Sequence, residues 1–233
     1  MSRLRFVTAL LLLAIGLPMR APFPAGVAQA QSPSSEEQRI VERARLVLED
    51  FLDDPNFAPM RVYVENAYAV VIVPGMLEGG FVIGGSYGRG VMLVRNSRTG
   101  EWSPPLFVRV VSGSVGLQIG GQQVDLVTTL MNEEAVRKVL NSNFKVGAGA
   151  KGAVGPVGAG LGTGTTLNFG EDAYFFAKAR GLFAGLAVDG TAILPDHDAT
   201  RAYYGRSVTV SELLTAPPDD PTSAGLRSAL STF

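Results

Sequence analysis

The sequence predicts an α+β fold, in which a strongly curved, barrel-like antiparallel sheet packs against an N-terminal helix and other short helices. Three observations predict it. The apolar runs are short, rich in valine and isoleucine, and bounded by glycine or proline, as β-strands are. These runs follow one another with few helical patterns between them, which favours an antiparallel sheet. Glycines also lie inside the runs, where they permit bends and bulges, so we expect the sheet to curve.

Residues 1–30 have the features of a secretory signal peptide. Arg3 and Arg5 precede a short apolar run, and Ala28-Gln29-Ala30 fits a small-residue cleavage site. An uncleaved membrane anchor is the alternative, although prolines interrupt the run. The chain contains no cysteine, so it has neither a disulfide nor a lipid-anchored cysteine. We therefore predict a periplasmic or secreted protein with a signal peptide at 1–30, a folded domain at 31–215 and a C-terminal tail at 216–233.

The first element predicted in the domain is an amphipathic helix. Ser35 can cap it, and Glu36 and Glu37 stand in its first turn, beside the positive end of the helix dipole. Apolar residues at helical spacing share one face, which predicts burial against the sheet: Ile40, Ala44, Val47, Leu48 and Phe51. The helix should end before Pro55, because the residue before a proline avoids helical geometry. A second short helix is predicted at 58–65.

The remaining elements follow from apolar runs, turn residues and helix caps. Strands are predicted at 69–73, 80–87, 91–96, 106–119, 123–130, 173–180 and 186–194, with a glycine-rich strand within 145–169. Residues 97–100 are typical of a hairpin turn. Three capping signals predict short helices: Asn132 before 133–140, Asp196-His197-Asp198 before 199–204, and Thr209 with Glu212 as a capping box. The proline-rich segment 216–221 is predicted to be a loop.

Two motifs match enzyme signatures without the structural context those signatures need. Residues 84–88 fit G-x-S-x-G, the nucleophile elbow of hydrolases, but a strand is predicted after Ser86 instead of a helix. The single histidine, His197, is the only one that could activate that serine. Residues 147–152 fit G-x-G-x-x-G, but the segment that follows contains Pro156 and cannot open the helix of a dinucleotide site. We predict no enzyme activity and no cofactor, with a hydrolase as a minor alternative.

Asp196, His197 and Asp198 are the most plausible metal ligands by residue type. Side chains of adjacent residues diverge, so the three form a poor metal cage, and a helix cap explains them better. We predict no metal site. The net charge of −1 also argues against nucleic acid, which requires a dense basic stripe.

The densest basic set consists of Arg137, Lys138, Lys145 and Lys151, in a stretch without acids from 135 to 169. If these four side chains share one face, they can hold lipid phosphates, and they are our candidate lipid-binding residues. An ordinary solvated surface is the alternative. The N-terminal helix is a weaker candidate, because it carries more acids than bases and anionic lipid would repel it.

The order of motifs resembles the SYLF domain family. The matching segments are AVVIVPG from Ala69, GGFVIGGSYG from Gly79, GEWSPP from Gly100, GSVGLQIGG from Gly113, NEEAVRKVL from Asn132 and YFFAKARGLFAG from Tyr174. The resemblance extends over 34–205, most of the chain after the signal peptide. It implies lipid and membrane binding and, in eukaryotic members, contacts with phosphoinositides and actin.

The resemblance and the lack of a catalytic set lead to one functional hypothesis. We expect an exported SYLF-like domain that binds lipid or a membrane surface without catalytic turnover, by burying an acyl chain or the rim of a bilayer between sheet and helices. A structural or protein-interaction module of the cell envelope is the alternative. Expected partners are a lipid or membrane surface and, under the alternative, an envelope protein. Actin is not expected, because an exported bacterial-type protein would rarely meet it.

Overall fold

The structure is a computed structural model that describes residues 33–81, 83–115, 120–148, 150–154, 171–180 and 190–232. All of them belong to the compact unit Gln31–Phe233. The predicted signal peptide, the end of the predicted strand at 106–119, most of the glycine-rich strand and the beginning of the strand at 186–194 fall outside these residues. None of the described helices is both long enough and apolar enough to span a bilayer.

The described strands form a single curled sheet of eight strands in the order β5-β8-β3-β2-β1-β4-β7-β6. Their bounds are β1 Ala69–Phe81, β2 Ile83–Val94, β3 Leu106–Val115, β4 Gly120–Leu130, β5 Phe144–Lys145, β6 Gly152–Val154, β7 Ala173–Arg180 and β8 Ala192–Pro195. All neighbours pair antiparallel except β6 and β7. The edge strands β5 and β6 are close in sequence, and a bridge between Val146 and Ala150 links them, so the sheet curls into a half-barrel. The predicted α+β class with a curved antiparallel sheet is confirmed.

Six α-helices surround the sheet in the described chain, and the three predicted caps are present. The helices are α1 Pro33–Asp53, α2 Met60–Glu65, α3 Glu133–Leu140, α4 His197–Tyr204, α5 Val210–Thr215 and α6 Ala224–Leu230, with a 3₁₀ turn at Pro55–Phe57. The side chains of Asn132, Asp196 and Thr209 accept hydrogen bonds from backbone N–H groups in the first turns of α3, α4 and α5. Each cap satisfies a donor that the helix itself leaves without a partner.

The sheet carries a hydrophobic core on each face. The outer core joins α1, α2 and α6 to the sheet through residues that include Leu48, Phe51, Ile72 and Val91, all with 0% exposure. The inner core fills the concave side with α3, α5 and the segment around β5. The interface between α1 and the sheet is therefore solidly packed in the described chain. This packing leaves no room there for the acyl chain that the sequence hypothesis placed between sheet and helix.

The three strands predicted at 69–73, 80–87 and 91–96 are in fact two long strands, which corrects the prediction. Pro74-Gly75 does not end β1, because the register shifts by a bulge between Val73 and Met76 and the strand continues. Gly75 takes a φ of +64°, a conformation that glycine adopts without strain. Its N–H donates to an Asp125 carboxylate oxygen at 2.8 Å, so the bulge is held from the neighbouring strand.

Residues 216–232, predicted as a tail beyond the domain, carry α6. Its Leu226 and Leu230 are fully buried and α6 contacts α1. The indole N–H of Trp102 donates to the Leu230 carbonyl at 3.2 Å, which ties the end of this helix to the turn region between β2 and β3. The segment is therefore part of the packed fold.

Candidate functional site

The four predicted lipid-binding residues lie in different surroundings. Lys138 and Lys151 both approach Asp172: the Lys138 Nζ atom is 3.9 Å from an Asp172 oxygen, and the Lys151 backbone N–H donates to the same carboxylate at 2.7 Å. Lys138 is also 3.0 Å from Glu134. Burial of Asp172 opposes its ionisation, but hydrogen bonds from Lys151 and Asn132 and the nearby positive charges outweigh burial and lower its pKa. The positive charge of Lys138 is therefore partly neutralised by Glu134 and Asp172.

Arg137 and Lys145 lie apart from this cluster. Arg137 is exposed on the side of α3 that faces α5, where it lines a groove with Tyr68 and Leu214. Lys145 is exposed on β5 and pairs across the strand with Ala192. The structure thus brings Lys138 and Lys151 together and places Arg137 in a different groove.

A more pronounced surface feature is an apolar pair on the outer face of the sheet. Leu77 on β1 and Tyr87 on β2 are register partners, with 59% and 49% of their surfaces exposed. Tyr87 and Val91 are four residues apart on β2, so their side chains point to the same face of the sheet. Val91 packs in the outer core under α1, and the pair therefore lies on the face that α1 covers further along the strands. Helix α1 leaves these two side chains exposed to solvent.

Leu46 of α1 extends this apolar pair. It is 51% exposed and lines a shallow 270 Å³ pocket together with Arg43, Gly75 and Gln123. Gln123 is the β4 register partner of Leu77, so the pocket that Leu46 lines lies beside the strand pair. The described residues expose four large apolar side chains, namely these three and Tyr68.

Next to Leu77 and Tyr87, the sheet surface has no side chains. Four glycines, each exposed, form a register row across four adjacent strands: Gly113, Gly85, Gly79 and Gly121. At Gly113 an added Cβ would meet nothing within 4 Å, so packing inside the protein does not require glycine there. A flat apolar partner could therefore approach the backbone closely beside the apolar pair.

Helix α1 exposes less unpaired negative charge than its composition indicates. Five of its six acids are held in ion pairs: Glu36 and Glu37 with Arg89, Glu42 and Glu49 with Arg45, and Asp50 with Lys178. By contrast, Arg39 and Arg43 are exposed and make no ion pair with any described residue. They lie on the solvent side of α1 together with Leu46, at spacings of four and three residues. We call Arg39, Arg43, Leu46, Leu77 and Tyr87 the outer patch.

Ser86, the residue at the centre of the hydrolase-like motif, lies within a strand. Its Oγ atom is 2.5 Å from the Ser112 Oγ on β3, and its side chain faces the inner side of the sheet. His197 begins α4, whose cap is Asp196. Gly152 of the G-x-G-x-x-G motif starts strand β6 instead of a helix. Among the described residues, no three histidine, aspartate or glutamate side chains converge in a way that could hold a metal ion.

Comparison with known proteins identifies the family. A family model described as "Ysc84: Las17-binding protein actin regulator" matches residues 111–233. Protein YSC84 of Saccharomyces cerevisiae is 34% identical over 171 residues, which are 68% of this chain and 35% of that protein. The chain belongs to the SYLF domain family. An SH3 domain-containing YSC84-like protein 1 of Xenopus laevis is 27% identical to this SYLF chain over 208 residues, 88% of the chain and 60% of the relative.

The match extends to relatives whose names refer to a protein partner. LAS seventeen-binding protein 3 of Saccharomyces cerevisiae is 30% identical over 161 residues, which are 66% of the SYLF chain and 35% of that relative. The chain spans between about a third and three fifths of the length of these curated relatives. The expectation that actin is not a partner is wrong for this family, because the family description is that of an actin regulator.

Proposed function

We propose that this SYLF domain binds an anionic membrane surface through the outer patch and catalyses no reaction. The observation that carries the proposal is the exposure of the register partners Leu77 and Tyr87 beside the pocket that Leu46 and Arg43 line. Burial of apolar surface contributes about 25 cal/mol per Å². Tyrosine is favoured at the boundary between lipid and water, and each basic residue near an anionic membrane adds about 1 kcal/mol.

The packing of the protein favours contact with a membrane surface over enclosure of a lipid. The space between α1 and the sheet is filled, so the apolar groups available to lipid are those on the outside. The ion pairs of α1 also reduce the repulsion that its six carboxylates would otherwise exert on anionic lipid. The absence of catalysis in this proposal rests on two positions: Ser86 lies inside a strand, and His197 lies at an exposed helix end.

A pair of substitutions in the apolar part of the patch tests the proposal. Leu77→Ser with Tyr87→Ser should weaken binding to vesicles of phosphatidylcholine and phosphatidylserine roughly tenfold or more, because two large apolar contacts are lost. Sedimentation of the protein with the vesicles measures this. Tyr68→Ser is the matched control, since Tyr68 is similarly exposed (45%) but lies outside the patch. Equal binding by the wild type and the double variant, or no vesicle binding by the wild type, would refute the proposal.

The basic part of the patch makes a separate prediction. Arg39→Glu with Arg43→Glu should abolish the preference for phosphatidylserine while leaving the melting temperature nearly unchanged, because both side chains are exposed and make no described ion pair. Vesicle series with increasing phosphatidylserine show the preference. A double variant that still prefers anionic vesicles would exclude α1 from the contact.

A second candidate function is contact with a protein of actin regulation. The family description and the names of the relatives favour it. The signal peptide predicted at 1–30 would export the chain, and an exported protein would rarely meet actin, so the predicted location and this second function conflict. Sedimentation of the purified protein with filamentous actin, in the presence and absence of vesicles, tests it directly.

A further inference from the structure

A second surface feature lies at the other end of β1. Two grooves of about 620 Å³ and 380 Å³ flank the turn between β2 and β3. They adjoin at a common wall of four residues, and we treat them as the two lobes of one groove: Asn96, Arg98, Leu214 and Thr215. Tyr68 lines the smaller lobe, nine residues before Leu77. At about 3.3 Å per strand residue, the groove and the outer patch are roughly 30 Å apart.

The walls of this groove are held in place by hydrogen bonds. The Asn96 side-chain amide donates to the Leu214 carbonyl at 3.1 Å, and the Asn96 side-chain oxygen accepts from the backbone N–H of Arg98 at 3.0 Å. Trp102 lies in the larger lobe and is anchored through its indole N–H to α6. The groove is therefore formed before any ligand arrives, which reduces the entropy lost on binding.

Arginines are spread along the whole groove, which we name the arginine groove after Arg95, Arg98, Arg137 and Arg227. Arg227 lines the larger lobe, Arg98 the shared wall and Arg137 the smaller lobe. Arg95 lies over the Trp102 ring, with its guanidinium carbon 4.8 Å from the ring centre. The acids of the lining are Glu101 and Glu133, so the groove carries a net positive charge.

Two of these arginines are free to meet a ligand. Arg98 and Arg137 are exposed, and neither guanidinium makes an ion pair or hydrogen bond with a residue in the described part of the chain. Both line the smaller lobe, whose apolar walls are formed by Tyr68, Leu140 and Leu214. Positive charges at intervals with apolar surface between them suit a ligand that has the complementary pattern along its length.

We propose that the arginine groove binds an extended acidic segment of a partner protein, with carboxylates on Arg98 and Arg137 and apolar side chains between them. A single phosphate needs donors that converge on one point, whereas the four arginines of the groove line both lobes. A bilayer surface is too flat to enter a groove with walls on both sides. The site goes beyond membrane binding and uses a different surface from the outer patch.

The test measures fluorescence anisotropy of a fluorescein-labelled peptide in which glutamates alternate with leucine and glycine. The purified wild-type protein should bind it saturably, and binding should weaken as salt is raised. Arg98→Glu with Arg137→Glu should weaken binding at least about tenfold, because two attractions become repulsions. The matched control is the charge reversal in the outer patch, Arg39→Glu with Arg43→Glu, which should bind the peptide as the wild type does. A peptide with lysine in place of glutamate should not bind.

The two pairs of charge reversals separate this proposal from membrane binding. The groove variant should lose the peptide and keep the vesicles, and the patch variant should do the opposite. Absence of saturable peptide binding by the wild type, or undiminished binding by the groove variant, overturns the proposal. So does loss of vesicle binding by the groove variant, since the groove would then be a lipid contact. If the melting curve shows that the variant with both charge reversals does not fold, Arg98→Gln with Arg137→Gln is tested in its place.

Discussion

Replacing Gly90 by alanine is expected to destabilise the protein by roughly 3 kcal/mol or more, with a fall in melting temperature of about 6–12 °C. A Cβ at this position would lie 2.2 Å from the Ile72 carbonyl oxygen and 2.9 Å from the Val73 Cα. Both are backbone atoms of β1, so no side-chain rotation can relieve the clash. The central strands β1 and β2 would have to separate locally, in the middle of both cores.

Gly113→Ala is the matched control for Gly90→Ala. Gly113 also lies within a strand, but an added Cβ there meets no atom within 4 Å and the backbone conformation suits any residue. We expect a melting temperature close to that of the wild type, or slightly higher, because alanine loses less chain entropy on folding. Thermal unfolding followed by circular dichroism measures both variants. Equal stability of the two variants would contradict the close approach of β1 and β2 at Gly90.

Helices α3, α4 and α5 and their caps could be predicted from the sequence because the relevant interactions are local, whereas Ser35, the predicted cap of α1, lies inside that helix and the sequence predicts no helix at α6. Asn132, Asp196 and Thr209 each bond to a backbone N–H three residues ahead, within the first turn of the helix that follows. The apolar face of α1 likewise depends only on the spacing of residues along one helix. Patterns of this range are visible in the chain without knowledge of the tertiary structure.

The continuation of β1 through Pro74-Gly75 could not be predicted in the same way. In the sequence, that dipeptide is a turn signal. In the structure, the Asp125 carboxylate, fifty residues away, accepts the hydrogen bond of the Gly75 N–H and holds the bulge in the sheet. The information that turns a strand end into a bulge comes from the neighbouring strand, so a local pattern does not contain it.

The outer patch also depends on distant parts of the chain. Leu46 belongs to a helix, while Leu77 and Tyr87 belong to two strands, and the register of β1 with β2 and β4 brings them together. The sequence indicated Lys138 and Lys151 because basic residues are concentrated in that part of the chain. It could not show that Asp172 lies between them, or that the acids of α1 have partners in Arg45, Arg89 and Lys178.

Replacing Arg89 by methionine is the second change for which we expect a large effect. Arg89 lies on β2 under the start of α1 and donates hydrogen bonds to Glu36 at 2.5 Å and Glu37 at 3.0 Å. Its Nε atom is 3.6 Å from an Asp196 oxygen at the cap of α4. Burial works against its charge, but the three carboxylates outweigh burial and raise the pKa of Arg89. This side chain therefore joins two helices to the sheet.

The loss of Arg89 leaves a buried carboxylate without its cation. The Glu37 side chain is only 5% exposed, and its second carboxylate oxygen has no hydrogen-bond partner. Breaking a buried ion pair from one side costs about 3–5 kcal/mol, and the partial exposure of Arg89 places our expectation near 3 kcal/mol. Urea unfolding measures the loss. Amide hydrogen exchange should also show faster exchange in the first turns of α1, which the broken contact would release.

Two further variants distinguish a buried ion pair from a simple loss of packing. Arg45→Met removes an arginine that pairs with Glu42 and Glu49 on the surface of the same helix, and it should have a much smaller effect, since water solvates the remaining carboxylates. Glu37→Gln in the Arg89→Met background should restore part of the stability, because a neutral amide costs less to bury than an unpaired carboxylate. If the second substitution restores nothing, the contribution of Arg89 is the packing of its aliphatic part against α1, and the charge of Glu37 has no role in holding the helix.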